Sequence, residues 1–392
     1  MNKRVLLHII LFVLIFGCDN IKDEKQVPFE KLSSDVTGIN FSNIITPDIE
    51  TSENLFDYDY FYNGSGVGIA DINNDGLKDV LFTANQEMNR LFLNKGNLTF
   101  EDITESSNIN SKNKKWSSGV SFADVNNDGW LDIYISQGGP YESNSRKNLL
   151  LINNQDLTFT EKAEEYGLDD NGISTQSAFF DFDKDGDLDC VVMNENEFYG
   201  YDPISFFKKY ENKSVLMENS SHLYEQKNGK FINITEKAGL LSPTFGLGLC
   251  ISDINNDNWP DIYIANDYYV KDAMYINNQD GTFTNQIKES TKQISFYGMG
   301  VDIEDINNDN LSDIFVLDMA SSDHVRSKTL MASMNTSNFD LITNKLDQHY
   351  QYMFNSLQLN LGNDKYHNIS HQLNIAKTDW SWAGLIFDYN LD

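Results

Sequence analysis

One nine-residue pattern recurs along this chain and restricts its fold more than any other feature. The first copy is Asp71-Ile-Asn-Asn-Asp-Gly-Leu-Lys-Asp79, with oxygen-bearing side chains at positions 1, 3, 5 and 9: Asp71, Asn73, Asp75 and Asp79. Carboxylates two residues apart on a tight loop can converge on one hard cation, and Ca²⁺ takes several such oxygen ligands. Leu77, at position 7, would add its backbone carbonyl, and Gly76 permits a sharp turn that a Cβ hinders. The second copy is Asp124, Asn126, Asp128, Trp130 and Asp132, around Gly129. The third is Asp181, Asp183, Asp185, Asp187 and Asp189, around Gly186, and its extra carboxylates should strengthen cation binding. The fourth (Asp253, Asn255, Asp257, Trp259, Asp261) and fifth (Asp305, Asn307, Asp309, Leu311, Asp313) place Asn258 and Asn310 in the glycine slot. Asn is the next-best residue for a left-handed turn. Asp388, Asn390 and Asp392 begin a sixth copy.

These loops are not EF-hands, which need a bidentate Glu at position 12 and flanking helices. Position 12 is Phe82, Ile135, Val192, Ile264 and Val316 in the five complete copies. The β-branched and aromatic runs after each loop, and the glycine-rich runs before it, read as strands, so each loop is a hairpin tip. The first Asp falls at 71, 124, 181, 253, 305 and 388, and the shortest steps suit one four-stranded propeller blade. A second signature, Arg90-Leu-Phe-Leu-Asn94 followed by Leu98-Thr-Phe-Glu-Asp102, supplies the third and fourth strands and is echoed in later units.

The expected fold is therefore all-β: a β-propeller of four-stranded blades over 36–392, with five complete blades and a truncated sixth. Insertions at 194–222 and 318–355 are expected on one face, as a binding surface or as a helical cap. Because a propeller closes by pairing its last blade with its first, an open arc is expected, with Trp380–Asp392 less well packed than its counterparts.

Residues 1–18 read as an export signal: Lys3 and Arg4, then an apolar core too short to span a bilayer, ending in Leu14-Ile-Phe-Gly-Cys18. This end resembles a bacterial lipobox, which implies lipid attachment at Cys18; an ordinary signal peptide is the alternative. Residues 19–35 read as a flexible tether. The net charge of −30 is in large part site acidity, and what remains disfavours nucleic acid and anionic membrane surfaces. Cys190 and Cys250, each beside a cation loop, read as two buried thiols, with a bridge between them as the alternative in an oxidising compartment; the chain is not a disulfide scaffold.

The motif Gly-x-Gly-x-x-Asp-x-[Asn/Asp]-x-Asp-[Gly/Asn]-x-x-Asp followed by a strand resembles the FG-GAP/VCBS-repeat β-propellers, the group that includes the integrin α-subunit head. Tyr62-Asn-Gly-Ser-Gly-Val-Gly-Ile-Ala-Asp-Ile-Asn-Asn-Asp-Gly76, Phe100-Glu-Asp-Ile-Thr104 and Thr378-Asp-Trp-Ser-Trp382 look more narrowly like the CRTAC-like, ASPIC/UnbV-associated lipoproteins of Bacteroidetes. The resemblance implies several Ca²⁺ ions, one per loop, about seven blades in a full propeller, and an extracellular adhesion or ligand-binding role.

Three functions are in play, the third a purely structural propeller that scaffolds an outer-membrane complex. The first is a non-catalytic module, lipid-anchored at the outer membrane or cell surface, that binds a glycan or a protein. Carboxylates at the same offset in every unit suit structure, whereas catalytic sites are singular. The rival is a polysaccharide lyase or hydrolase on a Ca²⁺-binding propeller. No His-Glu-x-x-His, Gly-x-Ser-x-Gly or phosphate-binding glycine loop occurs. His324, Arg326 and Lys328 form a basic cluster that could meet an acidic sugar, or could be an ordinary solvated loop.

Overall fold

The β-branched and aromatic runs flanking each loop pair as antiparallel hairpins, and each hairpin is extended by two further strands. The computed structural model describes residues 29–110, 116–329 and 336–388. Blade 1 comprises β1 (Val67–Ala70), β2 (Asp79–Phe82), β3 (Arg90–Asn94) and β4 (Phe100–Asp102). Blade 2 comprises β5 (Ser117–Ala123), β6 (Asp132–Gln137), β7 (Leu149–Asn153) and β8 (Phe159–Glu161). Blade 3 comprises β9 (Ser174–Phe180), β10 (Asp189–Asn194), β11 (His222–Lys227) and β12 (Lys230–Asn233). Blade 4 comprises β13 (Gly246–Ser252), β14 (Asp261–Asn266), β15 (Ala273–Asn277) and β16 (Phe283–Asn285). After the short β17 (Ile294–Ser295), blade 5 is built from β18 (Gly300–Glu304) and β19 (Asp313–Leu317). It is completed, beyond β20 (Gln351–Tyr352), by β21 (Ser356–Asn360) and β22 (Tyr366–Asn368). β17 and β20 pair in parallel outside the blades. The all-β, four-stranded-blade fold expected from the repeats is the fold observed.

The chain divides into two units, Ser34–Phe387 and a second formed by Met1–Ser33 with Asp388–Asp392. Of the second, only 29–33 and Asp388 are described, and they carry no helix or strand. The expected export signal with Cys18, most of the expected tether, Asn390 and Asp392 lie outside the described residues. In the first unit, 380–387 form no strand, and Trp380, Leu385 and Phe387 are exposed.

A single blade is too thin to have its own core, so the apolar residues lie between blades. Leu81, Leu91 and Leu93 of blade 1 meet Ile133, Ile135 and Leu151 of blade 2. Equivalent clusters join blades 2 and 3, 3 and 4, and 4 and 5. Beyond blade 1, Val67 and Ile69 point away from blade 2 and are 58% and 64% exposed, so no described sheet covers that face.

The first strands of successive blades lie side by side, and their closeness explains the glycines ahead of each loop. A Cβ on Gly119 would lie 2.4 Å from the Thr175 carbonyl oxygen, and one on Gly248 would lie 2.8 Å from the Gly300 Cα. Both obstacles are backbone, which cannot rotate aside. Gly248→Ala is therefore expected to destabilise by about 1–3 kcal/mol, through overpacking. Urea midpoints check this, and a midpoint equal to the parent's contradicts the close approach.

The acidic loops join first to second strands at one end of every blade. The second-to-third-strand connections, including both insertions, fall at the other end. There the segment 58–61 fills the centre: Tyr58, Tyr60 and Phe61 are buried with Trp116, Phe206, Phe245 and Val270. The insertion at 194–222 supplies part of this cover. Its helix Pro203–Lys209 is capped by Asp202, which accepts from the Ile204 and Ser205 amides, and it presents Phe206 to stack on Phe245 with centroids 5.3 Å apart. A second helix, Lys213–Glu218, is capped by Asn212. Through its buried Phe206 the insertion covers part of this end.

Candidate metal centres

Each loop folds its acidic side chains inward by the same set of bonds. In the first, the Asp71 carboxylate accepts from the Asp75 amide (3.1 Å) and the Gly76 amide (2.8 Å), and Asp75 accepts from the Leu77 amide (2.8 Å). Asn73 Nδ2 donates to Asp75 Oδ2 at 3.0 Å. The same bonds recur from Asp124 and Asp128, from Asp253 and Asp257, and from Asp305 and Asp309. In the third loop they run from Asp181 and Asp185, the latter accepting from the Asp187 amide. Two residues per loop sit in the left-handed region. The glycine slot does so as expected, with Asn258 at φ 66° and Asn310 at φ 65°. Position 4 does so too, at Asn74, Asn127, Lys184, Asn256 and Asn308.

Position 9 differs from the others. Asp79, Asp132, Asp189, Asp261 and Asp313 are all buried. Each carboxylate accepts one amide from its own loop and one from the third strand. For Asp79 these are Ile72 (3.0 Å) and Asn94 (2.8 Å); for Asp132, Val125 (3.2 Å) and Asn153 (2.8 Å); for Asp189, Phe182 (3.2 Å) and Gln226 (2.8 Å). Asp261 and Asp313 do the same with Ile254 and Asn277, and with Ile306 and Asn360. The residue at the end of the third strand also returns a side-chain bond to the carbonyl just before position 9, as Asn94 does to Lys78 and Gln226 to Leu188. Sequence reasoning read position 9 as a ligand only. The recurring Asn in Leu-Asn94, Ile-Asn153, Ile-Asn277 and Leu-Asn360 was the available signal for its second role.

The loops also reach their neighbours. Asn153 Nδ2 donates to the Ile72 carbonyl across blades 2 and 1, and Asn277 Nδ2 to the Phe182 carbonyl across blades 4 and 3, both at 2.8 Å. Asn74 Nδ2 reaches the Gly129 carbonyl of the next loop at 3.0 Å.

Burial dominates the electrostatics. It raises the Asp132 carboxyl to about 6 and those of Asp189 and Asp261 to about 7, against the bonded amides, which lower them. The carboxylates at positions 1, 3 or 5 push the same way. In the third loop, oxygens of Asp181, Asp183 and Asp189 lie within 4.8 Å of one another. Such a set of hard oxygen donors suits a hard divalent cation, whose charge relieves the repulsion. Asp388 of the sixth copy is exposed, and positions 3 and 5 of its pattern lie outside the described residues.

The basic cluster of the second insertion lies in the second-to-third-strand connection of blade 5. Arg326 forms a bidentate pair with Asp379, Nε at 2.6 Å and Nη2 at 2.9 Å. His324 and Lys328 are exposed, on and beside the short helix Arg326–Thr329. Cys190 and Cys250 are both free thiols.

The FG-GAP-like repeat family model matches residues 62–135 and 253–316. Cartilage acidic protein 1 of Xenopus tropicalis is 31% identical over 135 residues, a match that takes in 34% of this chain. The chain spans only 20% of that relative's length. Among solved structures, an Agrocybe aegerita lectin that recognises non-reducing terminal N-acetylglucosamine is similar at 15% identity and TM-score 0.38, over 77% of this chain and 64% of that one. The V. cholerae biofilm matrix protein Bap1 is similar at 12% identity and TM-score 0.36, over 66% of this chain and 35% of that one. The fold is all-β, with four-stranded blades and inward-folded acidic hairpin loops, and the two stretches similar to FG-GAP-like repeats hold the first, second, fourth and fifth of those loops.

Proposed function

We propose that this chain is a non-catalytic binding module, exported and lipid-anchored at Cys18, whose blades are pinned by Ca²⁺ in their hairpin loops. One observation carries the reading: five loops, in five blades, use their acidic residues in the same way. A catalytic constellation is unique within a chain, whereas a structural device is repeated. The residues at positions 1, 3, 5 and 9 would hold the ion, with the position 7 carbonyl. The ion would supply charge neutralisation and a fixed loop, and the position 9 carboxylate would pass that order to the third strand. The scaffold thus made rigid carries variable connections at its other end, where a glycan or protein would bind. Sites tuned for the millimolar Ca²⁺ outside cells fit an exported protein.

The test is a thermal melt of the chain from Asp19 onward, in Ca²⁺ and then in excess chelator. Each site held at a hundredfold excess over its Kd is expected to contribute about 2.7 kcal/mol, lost on chelation. Superimposable melts would remove Ca²⁺ from the account. Turnover of a polysaccharide by the purified chain would replace the binding module with an enzyme.

A further inference from the structure

At the end of the molecule away from the loops, a cavity of about 790 Å³ opens between the segment 51–53, the blade 2 connection 140–146, Asn171, and Glu197 and Glu218 of the capping insertion. That volume falls within the range of small-molecule sites, roughly 300–1,000 Å³, and far exceeds what one ammonium or guanidinium side chain fills. Pro140 alone in its lining lacks a polar side chain.

The walls are braced. Arg146 is 7% exposed; its Nη1 donates to the Tyr141 carbonyl at 2.8 Å, its Nε to the Asn171 carbonyl at 3.4 Å, and its Nη2 to Glu197 at 2.7 Å. The Tyr141 hydroxyl donates to Glu53 at 2.7 Å. The guanidinium is therefore a strut whose donors are directed into the protein, not a receptor for an anion. Four carboxylates, those of Glu53, Glu142, Glu197 and Glu218, set the charge of the cavity. Glu142 and Glu218 are exposed and form no ion pair among the described residues. Such a field repels sulfated, phosphorylated or uronic ligands and attracts cations. The hydroxyls of Thr51, Ser52, Ser143 and Ser145 offer donors and acceptors together, which suits a polyhydroxylated ligand. Pro140 and the Tyr141 ring supply the little apolar surface that a sugar ring needs.

We propose that this cleft binds a saccharide bearing free amino groups, its ammonium groups paired with Glu142 and Glu218 and its hydroxyls with the Ser and Thr lining. The breadth of the cavity and its hydroxyl lining favour a sugar over a basic peptide. This deepens the binding-module reading and rests on it.

Calorimetry on the Ca²⁺-saturated chain, with short glucosamine oligomers, their N-acetylated counterparts and oligolysine, tests the proposal. Glucosamine oligomers are expected to bind, and the acetylated forms to bind at least about tenfold more weakly for loss of a charge-assisted contact. Glu142→Gln with Glu218→Gln is expected to weaken binding about tenfold or more, with the melting temperature unchanged. Equal affinity for acetylated oligomers, tighter binding of oligolysine, or binding indifferent to the paired substitution would each overturn it. A glycan array separates the two readings. A saccharide bound independently of Glu142 and Glu218 sinks the cleft but keeps the binding module, and no saccharide or protein ligand at all sinks both.

Discussion

Asp189→Ala is expected to cost about 2–5 kcal/mol, more than any change at positions 1, 3 or 5 of the same loop. The side chain is buried and accepts from two amides, Phe182 N in its own loop and Gln226 N in the third strand, β11. Truncation strands both amides away from water, at about 1–3 kcal/mol for each buried group left unpaired. It also frees the loop from β11. Asp185→Ala removes an exposed carboxylate whose described contacts are local to its loop, and is expected to cost under about 1 kcal/mol in chelator. The comparison is made by urea unfolding in chelator, where metal ligation contributes nothing. If the two variants unfold at the same midpoint, position 9 is a ligand and no more.

Stability in saturating Ca²⁺ is expected to fall as the pH rises from about 5 to about 8. The cause is a set of carboxyls enclosed at the centre of the far end. Burial, above all, raises Glu195 from 4.5 to about 8; the Tyr58 hydroxyl (3.0 Å) and the Asn63 amide (3.1 Å) donate to it and partly oppose that rise. Burial likewise raises Asp267 and Asp272 to about 7 and Asp318 to about 6. The folded chain therefore keeps protons that the unfolded chain releases near the ordinary carboxylate range. Stability is fully present below that range and is lost as the pH passes through the folded values, up to about 8 for Glu195. The loss from Glu195 alone is on the order of several kcal/mol. Glu195→Gln keeps the shape without the charge and is expected to flatten the upper part of the profile. Parallel melting profiles for the parent and Glu195→Gln, across that pH window, would show that Glu195 is not the source.

The sequence made the blades legible because each blade states its own tip. The spacing of acids fixes a tight loop, a tight loop fixes a hairpin, and the β-branched runs fix which residues pair. Asn258 and Asn310 are legible as left-handed turn positions from sequence, since few other residues tolerate them. What lay hidden was relational. Whether Asp79 faces an ion, the Ile72 amide or the Asn94 amide is a matter of which oxygen points where, and spacing does not encode that. Glu195, Asp267 and Asp318 follow the second strands of blades 3, 4 and 5, and they passed as three acids in an acidic chain. Glu195 accepts from Tyr58 and Asp267 from Tyr60, 137 and 207 residues away, and Asp318 accepts from Ser295, 23 residues away, so none of these pairings shows in a local stretch of sequence. Arg326 read as a cation of a solvated loop or of a ligand surface, and its ion pair was hidden for the same reason: its partner Asp379 is 53 residues away. The cleft is assembled from five stretches of chain and has no local signature at all.

The central segment 58–61 has a consequence for the order of events during synthesis. Blades pair strand to neighbouring strand, so each can close soon after its residues appear. Tyr58 must wait for Glu195, 137 residues later, and Tyr60 for Asp267, 207 residues later. At ordinary synthesis rates that is a delay of roughly ten to forty seconds. For that time the two tyrosines remain wet and adhesive, early to emerge and long without their partners. The slowest and most error-prone step of maturation then belongs to the plug rather than to the repeats. A holdase that covers the residues around Tyr58 would raise the yield of folded protein more than any aid to the blades.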